Sequence, residues 1–337
     1  MMAACSRWPR RPTIAGSPRS CWSRRRERGG ERGDGRHLRW GAPGSSGGPR
    51  GDSPPGPEQS GRRSILVTFE PHPLEVVNPA AAPALLTTTT ERLAALATSG
   101  IDRVLTLRFD RAMAALDPAA FVDEVLLPRC DLRELVIGHD HGFGRGRQGD
   151  VATLQALGAT RGFPVDVVAP VQFADGLPVS STAIRRAVAG GDLDGAARML
   201  GRRYTVEGVV QRGAGRGGPI GFPTCNLQIE GRKLLPPDGV YAVVVETPAG
   251  RFGGMMNQGH RPTFDDGRRL LEAHLFGFEG VLYERSVSVQ WVAPLREIRR
   301  FDSVASLRQQ LEVDSHRART MLAVAHPDLE APAPASE

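Results

Sequence analysis

The hydrophobic pattern of this chain changes period once, near Tyr204, and that change limits it to two modules of different construction. Downstream, the runs YTVEGVVQR, VYAVVVET, RFGGMMN and RSVSVQWV are separated by polar turns and read as antiparallel strands. They are followed by FDSVASLRQQLE, a closing helix begun by Asp302 or Ser303. A small closed β-barrel accounts for this order better than an open sheet. Upstream, short apolar runs at 64–69, 103–107, 134–138 and 164–170 alternate with helix-like stretches such as 91–98 and 117–127, the signature of a parallel α/β sheet. Asp117 followed by Pro118 marks a helix start, because aspartate caps and proline fits the first helical position. One further helix, LDGAARMLG, lies in the 189–203 stretch that links the modules.

Within the second module the segment GAGRGGPIGFPTCN (213–226) is suited to a polyphosphate. Glycines at 213, 215, 217 and 218 permit positive φ and bring bare N–H groups against an anion. A glycine turn alone usually just joins strands; the attached PTCN separates this one from that background. Thr224 and Asn226 are two apart, so on an extended strand they share a face and could offer a hydroxyl and an amide oxygen to one Mg²⁺. A Walker A loop is excluded because the chain's single lysine, Lys233, lies between Arg232 and Leu234, and neither Asp-Phe-Gly nor His-Arg-Asp occurs. Phosphoryl transfer needs, besides positioning and charge stabilisation, a carboxylate to orient the attacking hydroxyl. Glu272 in LEAHLFGF could serve, although a lone glutamate is most often solvated. His274 shares its strand face and receives no catalytic role.

These strings, with MNQGHRPTF (256–264), LEAHLFGFEGVLY (271–283) and LREIRRFDSVASLRQQLEVD (295–314), resemble in order and spacing the riboflavin kinase domain of bifunctional bacterial riboflavin kinase/FAD synthetases. The resemblance runs from about Tyr204 to Leu322 and implies a six-stranded antiparallel barrel with a C-terminal helix, over 204–325. It implies Glu272 as general base and Thr224 and Asn226 on Mg²⁺ and the ATP phosphates. Gly213, Gly215, Arg216, Gly221 and Pro223 would complete the phosphate loop, and Asn257, Arg261 and Arg296 are weaker candidates for shaping the flavin pocket. Cys225 stands where the family usually has alanine.

In the first module, ligands are expected beyond the carboxyl ends of the strands. EPHP (70–73), HDHGFGRGRQGD (139–150) and PVSSTAIRRAV (178–188) follow three of the runs. Ser180, Ser181 and Thr182 precede a helix-like AIRRAV, where free N–H groups favour an anion; the plainer account is an ordinary N-cap. The histidines at 139 and 141 lack the partners of a zinc site. This region resembles the FMN adenylyltransferase module of the same family over about Ser64 to Val188, through VTFEPHP, FGRGR and SSTAIR. The resemblance implies an incomplete Rossmann-like nucleotidyltransferase module over 64–188, with His72, Asp140, Ser180, Ser181, Thr182 and Arg185 as its residual nucleotide site. The family's HxGH motif, which holds the ATP phosphates, occurs nowhere in this sequence, so FAD synthesis is expected to be weak or absent.

Residues 1–60 carry 12 arginines against five acids, while the remaining 277 residues carry 31 basic and 32 acidic groups. The basic character therefore belongs to the tail, and a near-neutral body gives no reason to invoke nucleic acid. The tail's Gly, Pro, Ser and Arg content predicts disorder. It can be read as a transit peptide, as a nucleic-acid arm, or as sequence foreign to the family through a shifted frame or wrong start, the reading favoured by the abrupt onset of resemblance near Ser64. Residues 326–337 are expected to form a second disordered tail. No apolar run reaches membrane-spanning length, and four cysteines scattered over tail and modules argue against a disulfide framework. The expectation is a cytoplasmic, monomeric or weakly oligomeric riboflavin kinase acting on riboflavin, FMN and ATP with Mg²⁺, without membrane or nucleic acid. The alternatives are a fully bifunctional enzyme and a non-enzymatic flavin- or nucleotide-binding regulator.

Overall fold

The structure, a computed structural model, describes residues 63–139, 142–173, 176, 178–213, 215, 217–260 and 269–329. The tail expected over 1–60 lies outside the described residues, as do the candidate residues Asp140, Arg216 and Arg261.

The first module holds β1 (Ile65–Glu70), α1 (Thr89–Ala97), β2 (Arg103–Arg108), β3 (Leu135–Gly138), α2 (Val151–Arg161), β4 (Val165–Val168) and α3 (Ser181–Ala189). Its helix starts follow the side chains. Thr88 and Glu91 form a capping box at α1, each satisfying an otherwise orphaned backbone N–H of the other. Asp117 accepts from Ala120 N at 2.8 Å, opening a helical run from 118 to 130 that contains a π-turn at Phe121–Leu126. The strands are parallel, as their spacing predicts, but they pair as two ribbons, β1 with β2 and β3 with β4. Among the described residues no ladder joins β1 to β3. The ribbons share apolar contacts instead: Val67 of β1 packs against the core of Val122, Leu126, Ile137, Leu154 and Phe163.

After α4 (Leu193–Leu200), the predicted linker helix, the second module is a closed antiparallel barrel. Its strands are β5 (Thr205–Gln211), β6 (Cys225–Gln228), β7 (Gly239–Thr247), β8 (Gly250–His260), β9 (Arg269–Leu275) and β10 (Ser286–Arg296), in the spatial order β10-β5-β6-β9-β8-β7. Period-two alternation sorts the side chains. Val206, Val210, Leu227, Tyr241, Val243, Met256, Leu271, Ala273, Val289 and Trp291 fill the interior. Val240, Ala242, Val244, Met255, Phe276 and Val292 face outward, under Ala318 and Leu322 of the closing helix α5 (Val304–Ala325). Of the two expected caps for α5, Ser303 is the one used, in a reciprocal box with Ser306. Of the disordered tail expected over 326–337, the first residues are packed: Asp328 pairs with Arg251 at 2.7 Å and Leu329 packs on the outer cluster, while 330–337 lie outside the described residues.

Candidate functional site

Strand register brings the distant motifs of the barrel into one line. Gln211 on β5 lies opposite Asn226 on β6, Asn226 opposite Glu272 on β9, and Glu272 opposite Asn257 on β8. The line continues through Val240 on β7 to Arg296 on β10. Directly opposed residues share a face with Cβ atoms about 5 Å apart. That face is the outer one, because Leu227, Leu271, Ala273 and Met256, their strand neighbours, point into the barrel. A carboxylate therefore stands beside a buried amide, 8% exposed, with the exposed Asn257 on its other flank.

The glycine loop meets this line at Asn226. A Cβ on Gly213 would collide with Asn226 Nδ2, so glycine lets the loop backbone pass over that amide without displacing it. Gly221 has φ of +87° at the end of a short 3₁₀ turn, and Phe222 N closes the bend on Gly217 O at 2.9 Å. Pro223 and Thr224 follow, both exposed, and β6 begins at Cys225. Cys225 packs toward the interior, so Thr224 and Asn226 lie on the outer face together, in line with their two-residue spacing. Burial pushes the Cys225 thiol up to about 11. Gly215 also has positive φ, +67°.

Two of the weaker candidates have visible commitments. Arg296 donates from Nε to Asp314 of α5 at 2.8 Å, with Asp314 fully buried, and so ties the closing helix to β10. Asn257 projects outward, whereas its neighbour Gln258 is fully buried and donates to the carbonyls of Pro236 and Pro237 at 2.6 and 3.0 Å.

In the α/β module the candidate residues serve local structure. Ser180 caps α3, accepting from Ala183 N at 3.1 Å, with Ser181 and Thr182 exposed in its first turn. His72 caps the short helix Pro73–Val77 through Nδ1, and its pKa is lowered by burial and then by Arg185. Arg185 donates from Nε to Ala84 O at 2.9 Å.

Sequence reasoning passed over the pair that joins the modules. Lys233 Nζ lies 2.5 Å from Glu91 Oε2, donates to Leu86 O at 2.8 Å and sits 4.5 Å above the Tyr204 ring. Both side chains are almost wholly buried, at 2% and 4% exposure. Glu91 also accepts from Glu207 N at 2.8 Å, so one carboxylate binds α1, β5 and the β6–β7 connection together. Leu85 adds a one-residue parallel bridge to Lys233, its N–H donating to Arg232 O and its carbonyl accepting from Leu234 N. The available signal was the singularity of that lysine among 43 cationic residues. A compact ammonium presents donors in three directions above an aromatic face, a geometry that a planar guanidinium does not reproduce. Beside it a cavity of about 720 Å³ is lined by Ala84 and Ala189 from one side and by Gln211, Asn226, Lys233 and Arg269 from the other.

Comparison with known proteins agrees with this division. The riboflavin kinase family profile matches residues 200–322, and the FAD synthetase profile matches residues 56–183. The bifunctional riboflavin kinase/FMN adenylyltransferase of Pseudomonas fluorescens is 39% identical over 261 residues, covering 77% of this chain and 83% of the relative. The Escherichia coli K12 protein of the same description is 37% identical over 281 residues, covering 81% and 88%. A solved structure from Streptococcus pneumoniae, described as a macrolide-efflux protein, superposes with a TM-score of 0.67 at 29% identity, covering 78% of this chain and 85% of its own. Among the described residues of the present chain no helix is long and apolar enough to cross a membrane. The two profiles together describe a transferase that joins a kinase module to a nucleotidyltransferase module. The chain belongs to the bifunctional riboflavin kinase/FMN adenylyltransferase family.

Proposed function

We propose that the barrel phosphorylates riboflavin to FMN with ATP, using Glu272 as general base. The observation that carries this reading is the lateral alignment of Asn226 with Glu272, together with Gly213 resting on the Asn226 amide. The loop glycines expose N–H groups to the phosphates, and Glu272 accepts the proton of the attacking flavin hydroxyl as its oxygen bonds to the γ-phosphorus and the bond to ADP breaks. Mg²⁺, when bound, neutralises charge on the phosphate oxygens. The residues fit such an ion: magnesium takes one or two protein oxygens and completes its shell with phosphates and water, which suits the Thr224 hydroxyl and the Asn226 amide. Among the described residues no group of three or more His, Cys, Asp or Glu forms a self-sufficient metal site. Glu272→Ala, assayed by chromatography of FMN, is expected to lower turnover about a thousandfold with riboflavin affinity unchanged. Turnover within about tenfold of the parent would remove Glu272 from the mechanism.

FAD formation by the α/β module is weak or absent in this reading. Three observations support it: no HxGH in the 337 residues, β1 and β3 in separate ladders, and the Ser180 hydroxyl used as a cap. Incubation with FMN, ATP and Mg²⁺ separates the alternatives. FAD at a rate comparable with FMN formation would establish a fully bifunctional enzyme, and neither product would leave a flavin- or nucleotide-binding protein. The free thiols of Cys130 and Cys225 favour a reducing cytoplasm, and the near-neutral body favours small-molecule partners over nucleic acid.

A further inference from the structure

The outer face of β9 carries Glu272 and then, two residues on, His274, which stands at the border between two lateral rows. The row of Glu272 is polar from Gln211 to Asn257; the row of His274 runs through Met255 to Ala242 and passes beneath α5. The imidazole is held edge-on between Phe222 and Phe276, with centroids 5.2 and 5.7 Å away, and Arg319 of α5 covers the Phe276 ring at 4.2 Å. Its Nδ1 lies 2.7 Å from the carbonyl oxygen of Pro223. A carbonyl only accepts, so Nδ1 carries the proton and donates. Burial lowers the pKa of the ring from its ordinary value, opposed by the hydrogen bond to Pro223 and aided by Arg319; the Nδ1–H donor is fixed by its geometry toward the carbonyl.

The Pro223 carbonyl belongs to the peptide that leads directly into Thr224. Upstream, the turn is tied by Phe222 N to Gly217 O at 2.9 Å; downstream, the ladder resumes at Cys225 opposite Ala273. The peptide between these anchors is where the Thr224 hydroxyl acquires its height above β9, and proline at 223 has no N–H with which to fix it. We propose that His274 is a positioning residue for the phosphate site: by gripping the Pro223 carbonyl from the strand that bears Glu272, it fixes the Thr224 hydroxyl relative to that carboxylate. The proposal rests on the kinase reading above. It extends that reading from the residues that touch substrate to the one that sets their spacing.

The test separates the hydrogen bond from the ring packing. His274→Phe keeps an aromatic ring between Phe222 and Phe276 and loses the donor; His274→Asn keeps an N–H near the Nδ1 position and loses the ring. Loss of one such bond is expected to raise the KM for Mg·ATP about tenfold in His274→Phe, with the KM for riboflavin and the melting temperature little changed, and His274→Asn is expected to recover most of the Mg·ATP affinity. An unchanged KM for Mg·ATP in His274→Phe, or an equal rise for both substrates, would overturn the proposal. Should His274→Phe fail to fold, His274→Asn against His274→Ala makes the same comparison. Calorimetric titration with Mg·ADP without riboflavin reads the turn independently of catalysis. A parent protein that binds Mg·ADP but does not phosphorylate riboflavin defeats the kinase reading alone, whereas equal Mg·ADP affinity in parent and His274→Phe defeats the positioning role alone.

Discussion

The barrel and the α/β module are both built on apolar strands, yet one closes its hydrogen-bond ladder and the other, among the described residues, leaves it in two ribbons. Closure is what turns scattered motifs into a site. Around the barrel, continuous register carries Gln211, Asn226, Glu272 and Asn257, drawn from four strands, onto one line of one face. In the α/β module no ladder connects β1 to β3 among the described residues, and His72 and Ser180 are spent on capping the helices that follow them. Polar motif residues are thus aligned across strands in one region and used for local caps in the other.

The comparison can be broken most forcefully at the residue that spans both regions. Glu91→Ala removes the partner of a buried ammonium, whose pKa burial already lowers, and is expected to destabilise the protein by about 3–5 kcal/mol in urea unfolding. A loss below about 1 kcal/mol would mean that the modules stand independently. Next in size, Gly213→Ala forces a methyl group into the Asn226 amide and is expected to reduce kinase kcat/KM about a hundredfold through a misplaced loop. Ser180→Ala, on the other side of the comparison, should cost about 1 kcal/mol of stability and leave FMN formation intact; a kinase defect there would show that the α3 cap reaches the barrel site. The smallest effect is a pH dependence. His72 and His274 both have folded pKa values lowered chiefly by burial, so the unfolded chain takes up protons first. The stability held by these neutral rings is present above about pH 6.5 and lost as pH falls toward the folded values. Denaturation midpoints between pH 7 and pH 5 should flatten in His274→Asn and less so in His72→Asn.

What could be read from sequence follows the range of the interactions involved. Strands and helices were legible because alternation and caps are local: Asp117 opens its helix and Ser303 its own, as their side-chain chemistry dictates. Thr224, Asn226 and Glu272 were legible as a motif, but their alignment was not, since register between β6 and β9 is set by closure of the barrel and not by either strand. The division of the α/β strands into two ribbons was hidden for the same reason, because nothing within VTFE or LVIG states which neighbour each strand will find. Gln258 adjoins the candidate Asn257, and the alternation of β8 sends one amide inward to the proline carbonyls and the other out. Lys233 drew notice only as the residue that excluded a Walker A loop. Its partner lies in the other module, 142 positions away in the chain.

That pairing has a practical bearing on how the protein can be taken apart. The helix between the modules, Leu193–Leu200, looks like a natural place to cut, and an isolated barrel would seem an obvious reagent for flavin phosphorylation. Such a fragment would carry Lys233 without its carboxylate and Glu207 without the acceptor for its N–H. The cheaper excision keeps the barrel intact and replaces Lys233 by an apolar side chain of similar reach, such as methionine, so that the severed surface is greasy in place of charged.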